Sequence, residues 1–200
     1  MPVMDVQRNN LAGNIPPTDT ANAASVGVNA TSNMLEHNTL VGTASTKLVQ
    51  NSTLNSQFSI AGVGNAADTT DDTLFTYSLP AAFLGVNGQG IKVEASGVFA
   101  ANGNNKTVKI FFGATAVATT GVVTNNATAW KATAVIYRTA AATQLGDGCI
   151  WTALLPFTTK TAPGETLSGA VTVKVTGASG TTGAASDVLG HTFKVEAFGI

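Results

Sequence analysis

Apolar and polar residues alternate with a period of two through most of the chain beyond residue 46. Ile91, Val93, Ala95, Gly97 and Phe99 alternate with Lys92, Glu94, Ser96 and Val98. That spacing puts one set on a buried strand face and the other mostly in water. Val108, Ile110 and Phe112 repeat the pattern against Thr107, Lys109 and Phe111. Residues 101–105 between them are polar and carry an Asn-Gly pair, which suits the positive φ of a tight hairpin turn. Residues 91–113 are therefore predicted to form two strands joined as a hairpin.

The same reading extends in both directions. Residues 47–50 and 57–60 read as short strands, and residues 61–72 as a loop. A strand follows at residues 74–79, with Phe75, Tyr77 and Leu79 on one face. Pro80 ends it, and residues 80–84 are predicted as one helical turn with proline at its first position. Beyond residue 113, residues 117–123 read as a strand interrupted by Gly121, and residues 124–127 as a turn. Trp130, Ala132, Ala134 and Ile136 alternate with Lys131, Thr133, Val135 and Tyr137. Residues 144–148 are glycine-rich and read as a turn. Residues 150–158 read as a strand apolar on both faces, one meeting the core and one a neighbour. A turn at residues 162–165, a strand with Val171, Val173 and Val175 on one face, a small-residue loop at 177–185 and a last strand at 191–200 complete the chain. Short strands at this spacing predict an all-β fold, a jelly-roll-like β-sandwich of about eight antiparallel strands in two four-stranded sheets.

Residues 1–45 break the pattern. Pro16-Pro17 favours extended backbone, residues 18–25 are small and polar, and residues 32–38 carry signals for a single helical turn capped by Ser32 and anchored by Leu35. The expected organisation is an extended N-terminal arm over residues 1–45, docked on another subunit, and a β-sandwich domain over residues 46–200.

Composition narrows the function. Only 10% of the 200 residues are charged, and the net charge is −1, against roughly 25% charged in an average domain. The mean hydropathy is +0.22, too apolar for a disordered chain. A surface of hydroxyls and amides suits a subunit packed in an assembly, where each buried charge would need a partner. The lysines are scattered, so there is no basic stripe for nucleic acid. No apolar run approaches the roughly 18 residues of a spanning helix, and no secretion signal is legible. The product is expected to stay in the cytoplasm where it is made, unless it leaves inside a particle.

Candidate chemistry is thin. Cys149 stands alone, with His37 and His191 far off in sequence, and reads as a small buried apolar side chain. Asp68, Asp71 and Asp72 form an acidic group, but their spacing does not fit a calcium loop. His191 lies near Asp187, with no strained serine elbow to complete a triad. Glu94 and Glu196 each lie close to a lysine, which predicts cross-strand ion pairs, not a glycosidase dyad. Trp130, Trp151, Tyr77 and Tyr137 sit within strand patterns and read as core or subunit interface. No catalytic, cofactor-binding or metal-binding residue is assigned.

Residues 73–113, TLFTYSLPAAFLGVNGQGIKVEASGVFAANGNNKTVKIFFG, resemble a pattern in the virion proteins of tailed bacteriophages. The matching residues are Leu79, Pro80, Ala81 and Leu84, then Asn104, Asn105, Lys106, Thr107, Lys109, Phe112 and Gly113. Trp130, the Tyr137-Arg138 pair and the closing F-VEAFGI strand are also similar, so the resemblance covers residues 73–200. Head-decoration, head-fibre and tail-fibre modules share it. It implies a trimerising β-sandwich without enzyme activity: a capsid decoration or head-fibre protein, anchored to the major capsid or tail protein through its N-terminal arm. The alternative it implies is a tail-fibre or tail-tip module that binds a host-surface glycan. Its contacts would come from loops 101–105 and 177–185, located by Trp130 or Tyr137.

Overall fold

Strand pairing joins segments that are far apart in the chain. The computed structural model describes residues 24–28, 35–40, 52–124, 126–180 and 183–199, with strands and no helix among them. The chain divides into two units, Met1–Val49 and Gln50–Ile200. In the first, β1 (Ala24–Val28) and β2 (Leu35–Leu40) pair antiparallel. Leu35 to Asn38, expected in a helical turn, therefore lie in a strand, where pairing with β1 supplies the backbone partners. Residues 47–50, expected as a strand, lie outside the described residues.

The second unit contains β3 (Ser52–Gly64), β4 (Asp72–Leu79), β5 (Gly90–Phe99), β6 (Lys106–Phe112) and β7 (Thr115–Thr119). After these come β8 (Ala129–Ala140), β9 (Thr143–Trp151), β10 (Pro156–Thr161), β11 (Val171–Ser179) and β12 (Val188–Phe198). β3 pairs with β12, β4 with β11, β5 with β8 and β6 with β7, all antiparallel. These eight strands are one long hairpin rolled on itself. The roll lays β3-β12-β5-β8 in one sheet and β4-β11-β6-β7 in the other. That wiring is a jelly roll. The hairpin β9–β10 continues the first sheet beyond β8, giving six strands against four, in place of the even split expected.

The core lies between the sheets. Ile91, Val93 and Phe99 of β5, Ile110 and Phe112 of β6, Trp130 and Ile136 of β8, and Val173 and Val175 of β11 are buried there. Phe75 and Phe193, from opposite sheets, stack with centroids 5.8 Å apart. Each such side chain contributes about 1.5–3 kcal/mol by leaving water, and the period-two pattern delivers them all to one side.

Four local expectations are corrected. β5 and β6 belong to different sheets, so residues 100–105 are a crossover and not a hairpin turn. Residues 80–84 form turns and not a helical turn; Ala82 stands at φ 55, which no right-handed turn accepts. Residues 144–148, expected to turn, are the middle of β9. Gly148 is there for close approach: a Cβ on it would stand 2.2 Å from the Val117 carbonyl oxygen of β7. Glycine in a strand serves this purpose as readily as it serves a turn. Residues 150–158 are not one strand, because the chain reverses between Trp151 and Pro156.

Boundaries differ elsewhere. β3 runs on to Gly64, β11 to Ser179, and β12 starts at Val188. β7 stops at Thr119, and Val123 makes only an isolated bridge to Lys106.

Candidate functional site

The polar side chains that looked most like chemistry are turned to structural use. Asp187, in the loop before β12, is 1% exposed. One carboxylate oxygen accepts Asn102 Nδ2 at 2.6 Å; the other accepts Asn104 Nδ2 at 3.0 Å and Ser179 Oγ at 2.7 Å. Lys106, wholly buried at the start of β6, donates to the Asn102 and Asn104 carbonyls and to Asn102 Oδ1 at 2.8–3.0 Å. The Gly180 amide bonds the Asn105 carbonyl at 2.6 Å. Loops 101–105 and 177–185, expected to reach for a glycan, thus meet each other around this cluster.

Burial works against the charge on Asp187. The amides, the hydroxyl and the Lys106 charge together outweigh it and hold the carboxyl below its ordinary 3.8. Burial pushes Lys106 below its ordinary value, opposed by the Asp187 charge. The asparagine-rich run before a lysine was visible in the sequence. Its partner, a single aspartate some eighty residues later, was not.

The pH consequence follows from Asp187. Its folded pKa is depressed, so its stabilising contribution is complete above the unfolded value of 3.8 and is lost as pH falls through the lower folded value. We expect chemical-denaturation stability to fall with pH in that acidic window, and Asp187→Asn to flatten this part of the curve.

The other candidates separate. Asp68 accepts the backbone and hydroxyl of Thr70, which lower its pKa; Asp71 pairs with Lys109 at 2.6 Å; Asp72 accepts the Ala66 amide at 2.7 Å. The three carboxylates thus close three different contacts. His191 turns away from Asp187 and engages the Ser59 carbonyl at 2.9 Å through Nδ1. Cys149, expected to be buried, is only half-buried, because it lies on the outward-facing side of β9; its pKa is raised by burial and by Asp147. Lys92 pairs with Glu94 and Lys194 with Glu196 along their own strands, at 3.0 and 2.5 Å. The register sets Lys194 opposite Glu94 and Glu196 opposite Lys92, so the expected cross-strand pairs become a four-charge cluster.

The residues of the resemblance have structural work as well. Arg138 donates to the Leu84 carbonyl at 2.5 Å and to Asn87 Oδ1 at 3.2 Å, fastening the loop after β4 to β8. Trp130 is 1% exposed and belongs to the core. Tyr137 is part-exposed and packs edge-on against Phe198, centroids 4.9 Å apart.

Among the described residues, the outer face of the six-stranded sheet remains open. Phe58, Thr192, Ser96, Lys131 and Trp151 are direct cross-strand partners across β3, β12, β5, β8 and β9. Shallow depressions of about 430 and 470 Å³ lie along this row, sharing Ser96 and Lys131. At the β9–β10 tip, Leu154 is 71% and Leu155 61% exposed.

The pairing defines the chain's second unit as a jelly roll with a two-strand extension. No protein-family model and no curated protein matches the chain. Among solved structures it is similar to the infectious bursal disease virus VP2 subviral particle protein, at 14% identity and TM-score 0.30 over 88% of this chain and 36% of that one. The same virus's Gx strain structure gives 15% and 0.31, over 87% and 36%. The chain thus spans little more than a third of those proteins. At such scores the likeness carries no argument, and the fold rests on its own strand pairing.

Proposed function

We propose that this chain is a non-enzymatic structural subunit of a bacteriophage virion. It is a trimeric capsid decoration or head-fibre protein, attached to the major capsid or tail protein through an N-terminal arm of residues 1–45. The resemblance over residues 73–200 supplies the phage and trimer parts of this reading. One observation carries the assembly part: two adjacent exposed leucines at the tip of the β9–β10 hairpin. Leu154 and Leu155 point into water, yet their turn is fixed. The Thr152 amide bonds the Leu155 carbonyl at 3.1 Å, and Thr152 Oγ1 accepts the Leu154 and Leu155 amides at 3.3 Å. A pre-ordered apolar projection loses little entropy on docking. Polar groups that elsewhere build active sites are here engaged in fixing loops, which supports a structural role.

Light scattering at micromolar concentration tests it. The expected mass is three times the 20.2 kDa of one chain. Leu154→Asp with Leu155→Asp is expected to give folded monomers, since neither side chain is in the core, whose melting temperature no longer depends on concentration. A monomeric parent chain would remove the trimer. Failure of the intact chain to bind phage heads or tails, with residues 1–45 present, would remove the attachment.

A further inference from the structure

We infer that the outer face of the six-stranded sheet is a saccharide-binding trough for an acidic glycan, with Trp151 as its stacking platform and Lys131 as its anion contact. The inference goes beyond the structural role proposed above. It also moves glycan recognition away from loops 101–105 and 177–185, which are occupied with each other.

The argument begins with the row of facing residues. Phe58 is 72% exposed at one end and Trp151 44% exposed at the other. Four strand spacings separate them, about 19 Å. Between them Ser96 Oγ and Thr192 Oγ1 share a hydrogen bond at 2.6 Å, and Lys131 stands exposed beside Ser96. His191, its ring held by the Ser59 carbonyl, borders the depression that Trp151 lines. An open trough with flat aromatic ends and hydroxyls between matches a sugar chain. Aromatic faces stack on the apolar faces of sugar rings, and the polar groups between them meet ring hydroxyls.

Charge identifies the class. On this face Lys92, Glu94, Lys194 and Glu196 neutralise one another, and Asp147 stands directly opposite Lys160. Among the described residues no carboxylate pairs with Lys131. Glu94 lines the same depression as Lys131, but it is paired with Lys92 and faces Lys194, so Lys131 is the excess cation there, next to the best stacking surface. That suits a carboxylate or sulfate on a sugar, and a single cation is too little for a nucleic-acid backbone.

The test uses the full chain with three probes: oligogalacturonate for carboxylate, heparin oligosaccharides for sulfate, and dextran oligomers as the neutral control. Binding is read by titration calorimetry and by tryptophan fluorescence, in which exposed Trp151 responds and buried Trp130 does not. At least one acidic probe is expected to bind and shift the fluorescence. Trp151→Ala should weaken it about tenfold, and Lys131→Glu should abolish it, with melting temperatures unchanged. Any of four results would overturn the inference: no probe binding, dextran binding as well as the acidic probes, binding left at full strength by Trp151→Ala, or a Lys131→Glu chain whose light-scattering mass drops, which would make this face a contact between copies. Assembly through Leu154 and Leu155 is measured separately, because both variants leave that tip intact.

Discussion

Replacing Asp187 by alanine is expected to lower the free energy of unfolding by about 3–5 kcal/mol, read from urea denaturation of the full chain. That is a large share of the roughly 5–15 kcal/mol a domain of this kind has. The size comes from what is left behind. The buried Lys106 ammonium loses the Asp187 charge that favours its protonated form, and the amides of Asn102 and Asn104 and the Ser179 hydroxyl lose their acceptor. Unsatisfied buried donors keep their full desolvation penalty. Lys106→Met should cost less, because Asp187 then keeps three neutral donors. Combining the two changes should cost less than their sum, since each removes the other's burden. A loss under about 1 kcal/mol for Asp187→Ala would mean that the loops are held by something other than this cluster.

The second large effect is expected at a residue without a side chain. Gly97 lies on the inner face of β5, opposite Gly190 of β12 and Trp130 of β8. A Cβ there would stand 1.9 Å from the Leu189 carbonyl oxygen and 2.6 Å from the Trp130 ring. Backbone cannot give way as a side-chain end can, so Gly97→Ala is expected to cost about 3 kcal/mol or more and to shift the fluorescence of Trp130. Gly103→Ala is the contrast. That glycine belongs to the Asn-Gly pair, yet it has open space around it and no positive φ. Its replacement should change stability by less than about 0.5 kcal/mol. Comparable losses at the two positions would refute this reading of the core.

These two glycines show what the sequence disclosed and what it withheld. Alternation placed Ile91 to Phe99, Val108 to Phe112, Trp130 to Ile136 and Val171 to Val175 on the correct faces, because side-chain direction in a strand is a local property. It could not say which strands pair. The Asn-Gly signal suggested a hairpin between β5 and β6, whereas Asn102 and Asn104 bend the chain across the core and anchor Asp187. Gly146 and Gly148 looked like a turn because glycine spacing is the same whether the chain reverses or another strand presses close. The apolar run at residues 150–158 hid a reversal, since Leu154 and Leu155 carry no turn signature. The row from Phe58 to Trp151 was beyond reach for a further reason: its members come from five strands, and only the register brings them into line.

The position of β12 has a consequence for how the protein is made. Val188–Phe198 lies between β3 and β5, so the last of these strands to leave the ribosome is an interior one. Until it arrives, the earlier strands wait with two unfilled edges, each a template for a stranger's backbone. Closure between such distant segments makes folding slow. Chains cut short before residue 188 should therefore collect in inclusion bodies when produced in quantity, whereas chains that carry β12 should stay in solution.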